Sequence, residues 1–421
     1  MSWGIGLKVL LMQNFQTAAT VLTHRLPYSA KPHARILPQR GIRMREYKLT
    51  EIPHLRVLGR TNGSLTPLTL FWNASGLELN VKGSECWVDI DADFDTFEPW
   101  VDVLINHART QRLMLTPGHH RLCLFRGLDP GRVRNVMILR DTQPMKDDRR
   151  MLLQITGVET DGTFEPLQDY AMKIEFLGDS ITTGEGMCGA YSDMDWTGQC
   201  MDSVNNYTFF TAQALNAEYH VFSQSGWGVH CSWDNNPDLA IPRYYETLCG
   251  FLDRENYAGY GAQDRWDFAS WQPDVVVVNL GTNDQGAFGT PPYVDPVTGR
   301  QYKMHRNEYG LFEPADRKLF EKDVLAFLHM LRRDNPGAYL IWAYGMLGGA
   351  DASATLYPEI TDAVAQFVAE TGDQRVEALE LANTAPGEYG SRMHPGKPAH
   401  RHAAEILVKR IREISQSPVQ R

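Results

Sequence analysis

Two patterns of hydrophobic and polar positions divide the chain. From about Leu55 to Pro166, apolar and polar residues alternate in short runs such as CWVDID, WVDVLI and NVMILR, separated by Gly, Pro or Asp. A two-residue period is typical of strands with one buried face. About seven such strands without a helical segment predict an all-β sandwich. Within this region, LTLFWNASGLELNV is interpreted as two paired strands around Asn73–Gly76.

The pattern changes at Met172. Apolar strand-like runs now alternate with helical stretches such as RKLFEKDVLAFLHMLRR, and the runs are KIEFLG, EYHVFSQS, DVVVVNLG, AYLIWAYG and VEALELAN. This alternation predicts a parallel sheet covered by helices on both faces. In such a sheet, ligands bind beyond the carboxyl ends of the strands.

The predicted domains are a leader over residues 1–44, a β-sandwich over 45–168 and an α/β domain over 169–421. The leader contains lysines and arginines but no acidic residue, and Lys8 interrupts its only apolar run, GIGLKVLLM. A signal peptide needs an uninterrupted apolar segment, so secretion is disfavoured. We expect a disordered or transit-type leader, or a true start at Met44.

Composition and charge restrict the class of protein. With 421 residues and a net charge of −10, a broad phosphate-binding surface is disfavoured, so nucleic acid is not an expected partner. A membrane is not expected as a partner either, because no run has the 18 or more apolar residues of a membrane span. Six cysteines are scattered without C-x-x-C spacing, which favours reduced thiols and a cytoplasmic protein.

Two catalytic signatures overlap in the stretch MKIEFLGDSITTGEGMCG. The glycines from Gly184 onward match G-x-G-x-x-G, but that dinucleotide pattern needs its first glycine at the strand end. The predicted strand ends at Gly178, six residues earlier, so dinucleotide binding is disfavoured. Ser180 lies just past the strand end, where its hydroxyl would project above the sheet as a nucleophile. The alternative is that Asp179 and Ser180 only cap a helix.

Three further segments carry candidate chemistry. VVVVNLGTNDQ brings Asn283 to the end of a buried strand, SQSGWGVH places Gly226 after another, and SRMHPGKPAH offers His394 just before a helix. Asn283 and His394 also have structural explanations, because an asparagine can form a turn and a lone loop histidine is more often a loop or cap residue than a base. Their positions beyond strand ends nevertheless favour a catalytic role for Ser180.

Serine, glycine, asparagine and histidine in this order resemble the four sequence blocks of the SGNH (GDSL-type) hydrolase superfamily. Here the matching residues are Ser180, Gly226, Asn283 and His394. The wider arrangement, with LRVLGRTN before KIEFLGDSITTGEG and DNPGAYLIWAYGM, looks like carbohydrate esterase family 2 over about residues 46–415. Members of that family join an N-terminal jelly roll to a C-terminal SGNH domain and remove acetyl groups from plant polysaccharides.

The resemblance implies a serine esterase that needs neither a metal nor an organic cofactor. Ser180 would attack the acetyl carbonyl with His394 as the base, and an acetyl-enzyme would form and then be hydrolysed. The N–H groups of Ser180 and Gly226 and the side-chain amide of Asn283 would stabilise the oxyanion, with Gly228 as an alternative to Gly226.

One position departs from the family pattern. SGNH enzymes usually carry an aspartate three residues before the histidine, and this sequence has Ser391 there. The resemblance also includes members with a Ser-His dyad, whose histidine is oriented by a backbone carbonyl. We therefore expect a Ser180-His394 dyad, with Asp284 or Glu388 as rival supporting acids.

The substrate implied by the resemblance is an acetylated oligosaccharide derived from xylan, mannan or glucan. Trp227 and Trp233 are candidates for stacking on a sugar ring. The aromatic-rich segment between Cys231 and Trp271 is either a lid or binding wall, or a loop packed onto the domain. Two other functions stay open, a lipase or thioesterase on the same scaffold and a non-catalytic sugar-binding protein. The sequence leaves the oligomeric state open.

Overall fold

The computed structural model describes residues 43–252, 257–347 and 355–416. The predicted leader lies almost entirely outside these residues, so its properties stay a prediction. The first part of the described chain is all β. Its strands are β1 Arg45–Lys48, β2 Arg56–Leu58, β3 Leu68–Thr69, β4 Gly76–Lys82, β5 Glu85–Asp93, β6 Trp100–Ile105, β7 Ala108–Met114, β8 Gly118–Arg126, β9 Val133–Arg140, β10 Leu152–Thr160 and β11 Thr163–Glu165.

These strands form two antiparallel sheets. One has the order β1-β10-β5-β8, with β3 also paired to β10, and the other has the order β11-β4-β9-β6-β7, with β2 paired to β4. Strand β5 buries every second side chain, including Val88 and Ile90, and these pack in one core with Val103, Ile138 and Ile155. The predicted two-residue period therefore produces the predicted sandwich.

One predicted pairing is wrong. LTLFWNASGLELNV does not form a hairpin, because β3 pairs with β10 whereas β4 pairs with β2, β9 and β11. Between β3 and β4 the chain leaves the sheet so that Phe71 and Trp72 can pack with the core of the second domain. The Trp72 indole Nε1 also donates a hydrogen bond to the Leu248 carbonyl at 2.7 Å. Burial of two large aromatic rings outweighs the local strand preference of this run.

The second part of the chain is α/β, as predicted. Its strands are β12 Met172–Gly178, β13 Ala217–Ser223, β14 Val275–Asn279, β15 Tyr293–Val294, β16 Gln301–Tyr302, β17 Tyr339–Gly345 and β18 Val376–Leu381. Its helices are α1 Ser180–Thr183, α2 Tyr207–Leu215, α3 Thr282–Ala287, α4 Pro314–Asp334, α5 Tyr357–Thr371 and α6 Lys397–Gln416.

Five of these strands form a parallel sheet in the order β13-β12-β14-β17-β18, and β15 and β16 form a separate hairpin. All five residues of β14 are buried, as expected for a central strand covered on both faces. In the register of the sheet, Gly178 lies between Ser223 and Asn279. The carboxyl ends of β12, β13 and β14 therefore meet at one edge.

The aromatic-rich segment between Cys231 and Trp271 is mainly a packed insertion. Tyr245, Phe251 and Phe268 are buried in the same hydrophobic cluster as Trp342 of the sheet. Of the two readings of the sequence, the packed loop therefore describes most of this segment. Trp233 is the exception, with 54% of its surface exposed.

No described helix is long and apolar enough to cross a membrane. The six cysteines all lie in the described part of the chain and are free thiols.

Candidate active site

Ser180 is the first residue of α1 and directly follows the tight turn at Asp179 that ends β12. The Asp179 carboxylate caps the helix by accepting a hydrogen bond from the Ile181 N–H at 3.0 Å. A side chain at Gly178 would come within 1.9 Å of Thr182 Oγ1, so only glycine fits before the turn. The capping role considered for this tripeptide belongs to Asp179. Ser180 is the first helical residue, and its N–H therefore lies outside the bonding pattern of the helix.

His394 faces Ser180 with one ring nitrogen and the backbone with the other. Its Nε2 lies 2.9 Å from Ser180 Oγ, and its Nδ1 lies 2.9 Å from the carbonyl oxygen of Arg392. A carbonyl only accepts hydrogen bonds, so Nδ1 carries the proton and Nε2 is free to accept the serine proton. This is the arrangement of a nucleophile and its general base.

An unusual backbone conformation brings the Arg392 carbonyl under the histidine. Arg392 and Met393 both have left-handed conformations, with φ of 56° and 57°, which side chains other than glycine rarely adopt. Ser391, at the position of the usual aspartate, turns away and donates its hydroxyl to the Cys188 carbonyl at 2.8 Å. The chain thus replaces a carboxylate with a backbone carbonyl at the cost of local strain.

The G-x-G-x-x-G stretch supports the histidine segment. Gly186 has φ of +82°, and a Cβ there would lie 2.4 Å from the His394 Cβ. Its carbonyl accepts a hydrogen bond from the Ser391 N–H at 3.0 Å. These glycines therefore permit a close approach of two backbone segments, which explains the motif without a phosphate group.

Glu185 is a site residue that the sequence analysis missed. It is buried, and its Oε1 lies 3.8 Å from His394 Nε2 and 2.6 Å from Arg392 Nε. Burial acts to raise the pKa of Glu185, but attraction to the protonated form of His394 and the ion pair with Arg392 outweigh burial and hold that pKa below its usual value. A glutamate between two glycines carries no catalytic signal in the sequence, because it lies outside the histidine block and far along the chain from His394.

Gly226 begins a loop at the end of β13. Its φ of +83° favours glycine, and a Cβ would lie 3.0 Å from the Trp233 ring. Among the described residues, no acceptor is bonded to the Gly226 N–H. Gly228, the alternative, is wedged against Asp284, because a Cβ there would lie 2.3 Å from Asp284 Oδ2. Because Gly226 is partly exposed whereas Gly228 is buried against this acid, Gly226 is favoured as the oxyanion donor.

Asn283 links the serine turn to this loop. It lies in the first turn of α3, and its Nδ2 donates to Asp179 Oδ2 at 3.1 Å and to the Trp227 carbonyl at 2.8 Å. Both amide hydrogens are therefore engaged, so an oxyanion would have to share one of them. Burial raises the pKa of Asp179 to about 7. Because a neutral carboxyl accepts more weakly than a carboxylate, protonation of Asp179 would weaken its hold on the amide.

Asp284 and Glu388 do not take the role of a third catalytic residue. The buried Asp284 carboxylate accepts hydrogen bonds from the N–H groups of Val229, His230 and Cys231, at 2.7 to 3.2 Å. Glu388 approaches His402, with 3.6 Å between Oε2 and Nδ1. Asp284 therefore does not support the histidine, although it follows Asn283 in sequence. Its carboxylate holds the loop after Gly226, and the Arg392 carbonyl orients His394.

Of the two tryptophans predicted to stack on a sugar ring, one is buried and one is exposed. Trp227 is wrong as a sugar-stacking residue, because it is buried against the rings of Tyr244 and Phe251. Trp233 is exposed and borders the candidate oxyanion loop, since its N–H donates to the Gly226 carbonyl at 3.0 Å.

A group of buried carboxylates lies at the boundary between the two domains. Oxygen atoms of Asp102, Asp141 and Asp202 lie within 4.8 Å of one another. Arg109 pairs with Asp202 at 2.8 Å and Arg112 with Asp141 at 2.6 Å, so two of the three negative charges are already balanced. Burial, with the nearby Asp141 and Asp202 charges, raises the pKa of Asp102 to about 10. A proton on Asp102 neutralises the group, whereas a divalent cation would leave excess positive charge.

The sequence profile of the GDSL-like Lipase/Acylhydrolase family matches residues 176–402, which include Ser180, Gly226, Asn283 and His394. The chain belongs to this family. Among solved structures, an acetyl xylan esterase (Est2A) from the rumen bacterium Butyrivibrio proteoclasticus is 41% identical, with a TM-score of 0.86, over 88% of this chain and 98% of that one.

Other relatives of this GDSL-like hydrolase are more distant in sequence. An acetylxylan esterase / glucomannan deacetylase from Cellvibrio japonicus is 24% identical over 86% of this chain and 89% of its own length. The cellulase/esterase CelE of Acetivibrio thermocellus is 26% identical over 81% of this chain, which spans only 37% of that protein. A family two carbohydrate esterase from Clostridium thermocellum shares the fold, with a TM-score of 0.70. The resemblance to carbohydrate esterase family 2 is thus confirmed.

Proposed function

We propose that the protein is a serine esterase that removes O-acetyl groups from carbohydrates. The observation that carries this proposal is the chain of two hydrogen bonds from Ser180 Oγ to His394 Nε2 and from His394 Nδ1 to the Arg392 carbonyl, each 2.9 Å long. The names of the relatives, acetyl xylan esterase and glucomannan deacetylase, support acetylated polysaccharide fragments as the substrate class.

The reaction proceeds in two steps. Ser180 Oγ attacks the acetyl carbonyl while His394 Nε2 takes the hydroxyl proton, and the proton then passes to the leaving sugar oxygen. Water, deprotonated by the same nitrogen, hydrolyses the acetyl-enzyme. Negative charge on the carbonyl oxygen is stabilised by the N–H groups of Ser180 and Gly226, and by Asn283 when its amide is released from Asp179.

Electrostatics favour the imidazolium that forms in both steps. The Glu185 carboxylate lies 3.8 Å from His394 Nε2 in a buried setting, where an opposite charge interacts more strongly than in water. The exposed ring of Trp233 beside the Gly226 loop offers a stacking surface for the sugar.

Acetate release from acetylated xylo-, manno- and gluco-oligosaccharides tests the proposal. We expect turnover by the wild-type protein and none above background by Ser180→Ala. A binding protein would retain the sugars without releasing acetate. A lipase or thioesterase would prefer long-chain nitrophenyl esters. The activity of an acetyl esterase should instead fall as the acyl chain becomes longer than acetyl. Fractionation of the producing cells would test whether the enzyme acts in the cytoplasm, on imported oligosaccharides.

A further inference from the structure

Gln143 belongs to the β-sandwich, but its side chain contacts the second domain. It lies three residues after the end of β9 and is buried. Its Oε1 accepts a hydrogen bond across the boundary from the Ser225 N–H at 2.8 Å and lies 3.2 Å from Thr183 Oγ1, which shares its single proton between this oxygen and the Asp179 carbonyl at 3.1 Å. One side-chain oxygen therefore joins two separate segments of the catalytic domain.

Both of these segments carry catalytic groups. Thr183 is the last residue of α1, a helix of four residues that begins at Ser180. Ser225 directly precedes Gly226, whose N–H is the candidate oxyanion donor. The two residues that Gln143 contacts are therefore close in sequence to the oxyanion donors. Ser225 is one residue from Gly226, and Thr183 is one helical turn from Ser180.

Neighbouring contacts reinforce the same junction. Asn73 Oδ1 accepts from Ser223 Oγ at 3.0 Å, and the Pro144 carbonyl accepts from Gln224 Nε2 at 2.8 Å. With the bond from Ser225 to Gln143, the last residue of β13 and the two residues after it are held by the sandwich. The sheet supports them on one side only, through β12, because β13 is an edge strand.

The direction of the Gly226 N–H depends on the conformation of the peptide before it. Fixing the Ser225 N–H restricts that peptide, because the two amide groups are separated only by the Ser225 backbone dihedrals. An oxyanion donor must lie within hydrogen-bond distance of the developing charge, and small displacements are costly. We infer that Gln143 of the β-sandwich is a positioning residue that aligns the Gly226 and Ser180 N–H groups for catalysis. This inference rests on the proposed esterase function.

The test compares Gln143→Leu, which lacks the acceptor, with Gln143→Glu, which keeps an oxygen at the same distance. A matched control is Gln154→Leu, since Gln154 is another buried glutamine of the sandwich whose side chain donates to Thr69 Oγ1 at 3.0 Å, within the sandwich itself. With p-nitrophenyl acetate, we expect kcat of Gln143→Leu to fall about 10- to 100-fold with KM changed less than about threefold. Gln143→Glu should recover most of this loss, and Gln154→Leu should keep the wild-type kcat.

A second measurement separates alignment from stability. A boronic acid forms a tetrahedral adduct with Ser180 that places a negative oxygen where the oxyanion develops, so its affinity should fall with kcat in Gln143→Leu. If Gln143→Leu does not fold, Gln143→Asn, which withdraws the acceptor by one methylene, carries the same expectation. Unchanged kcat and boronate affinity in the folded variant would overturn the inference.

Failure of the proposed function would be visible separately. If the wild-type protein hydrolysed no acetyl ester, the esterase proposal would fail. The rate of Ser180 labelling by a fluorophosphonate would then report on the oxyanion hole without turnover. Equal labelling rates for wild type and Gln143→Leu would refute the role of Gln143.

Discussion

Glu185 Oε1 lies 3.8 Å from His394 Nε2, on the side of the imidazole ring that faces Ser180. A triad acid would instead bond Nδ1, and here that atom bonds the Arg392 carbonyl at 2.9 Å. Glu185 therefore acts on the charge of the ring, while the backbone fixes its tautomer. This division of labour distinguishes the site from a Ser-His-Asp triad.

The first prediction concerns this division. Glu185→Gln keeps the shape of the side chain and removes its charge, so we expect kcat to fall about 10- to 100-fold through loss of electrostatic stabilisation. Ser180→Ala and His394→Ala should each cost at least about 10⁴. Glu388→Gln, at the rival position, should stay within about twofold of wild type. A folded Glu185→Gln variant as inactive as His394→Ala would make Glu185 a full third member and end the dyad hypothesis.

Much of the fold and the core of the site follow from the sequence. The two-residue period of the sandwich and the strand-helix alternation after Met172 are predictive because they reflect which side chains are buried. The four family blocks each fall at a strand end or before a helix. The dyad followed from one substitution, Ser391 for aspartate. What could not be predicted depends on long-range packing. Trp227 and Trp233 lie in similar sequence contexts. Trp227 is buried because Tyr244 and Phe251 of the insertion pack against it, whereas Trp233 stays exposed.

Supporting residues were hidden for the same reason. Glu185 and Gln143 have no local pattern, and their roles arise only when segments 207 and 82 residues away in sequence approach them. Asp284, in contrast, was predicted as a supporting acid for His394 because it follows Asn283 in sequence. In the structure its carboxylate bonds the loop at residues 229–231 instead.

The second prediction concerns Asp284. Its carboxylate accepts N–H bonds from three consecutive residues, whereas an asparagine would offer one oxygen and point an NH₂ group at the remaining donors. We expect Asp284→Asn to lower both Tm and kcat, the latter about 10- to 100-fold, by loosening the oxyanion loop. The control is Asp323→Asn, because the Asp323 side chain is 41% exposed and bonds the His230 ring at the same loop, at 2.6 Å. A larger kcat loss in the control would contradict this account.

The third prediction is a pH dependence of stability. Asp102 has a pKa of about 10 in the folded protein and about 4 in an unfolded chain, so unfolding releases its proton between these values. Its contribution to stability is therefore complete below about pH 4 and is lost progressively as the pH rises towards 10. Asp102→Asn mimics the neutral acid at every pH. We expect the Tm of this variant, relative to wild type, to rise steadily from pH 5 to pH 9. A difference independent of pH would show that Asp102 is ionised in the fold.

The last prediction concerns the dependence of the catalytic domain on the sandwich. Arg60 of the sandwich is fully buried in the second domain, where it bonds Glu175 Oε1 at 2.7 and 3.0 Å and lies over the ring of Tyr245. A fragment of residues 168–421 would leave Glu175 without its partner and expose the surface that Phe71 and Trp72 cover. We expect that fragment to be poorly soluble or weakly active.

A point variant tests the same dependence in the intact chain. Removing one partner of a buried ion pair typically costs about 3–5 kcal/mol, since the remaining charge stays buried and unpaired. We expect Arg60→Ala to lose stability on this scale in urea denaturation. The exposed pair of Arg150 and Asp93 is the control, and Arg150→Ala should cost less than about 1 kcal/mol. If Arg60→Ala were as stable as Arg150→Ala and the fragment kept wild-type kinetics, the sandwich would be dispensable. The catalytic domain would then fold and work alone, which the burial of Arg60 argues against.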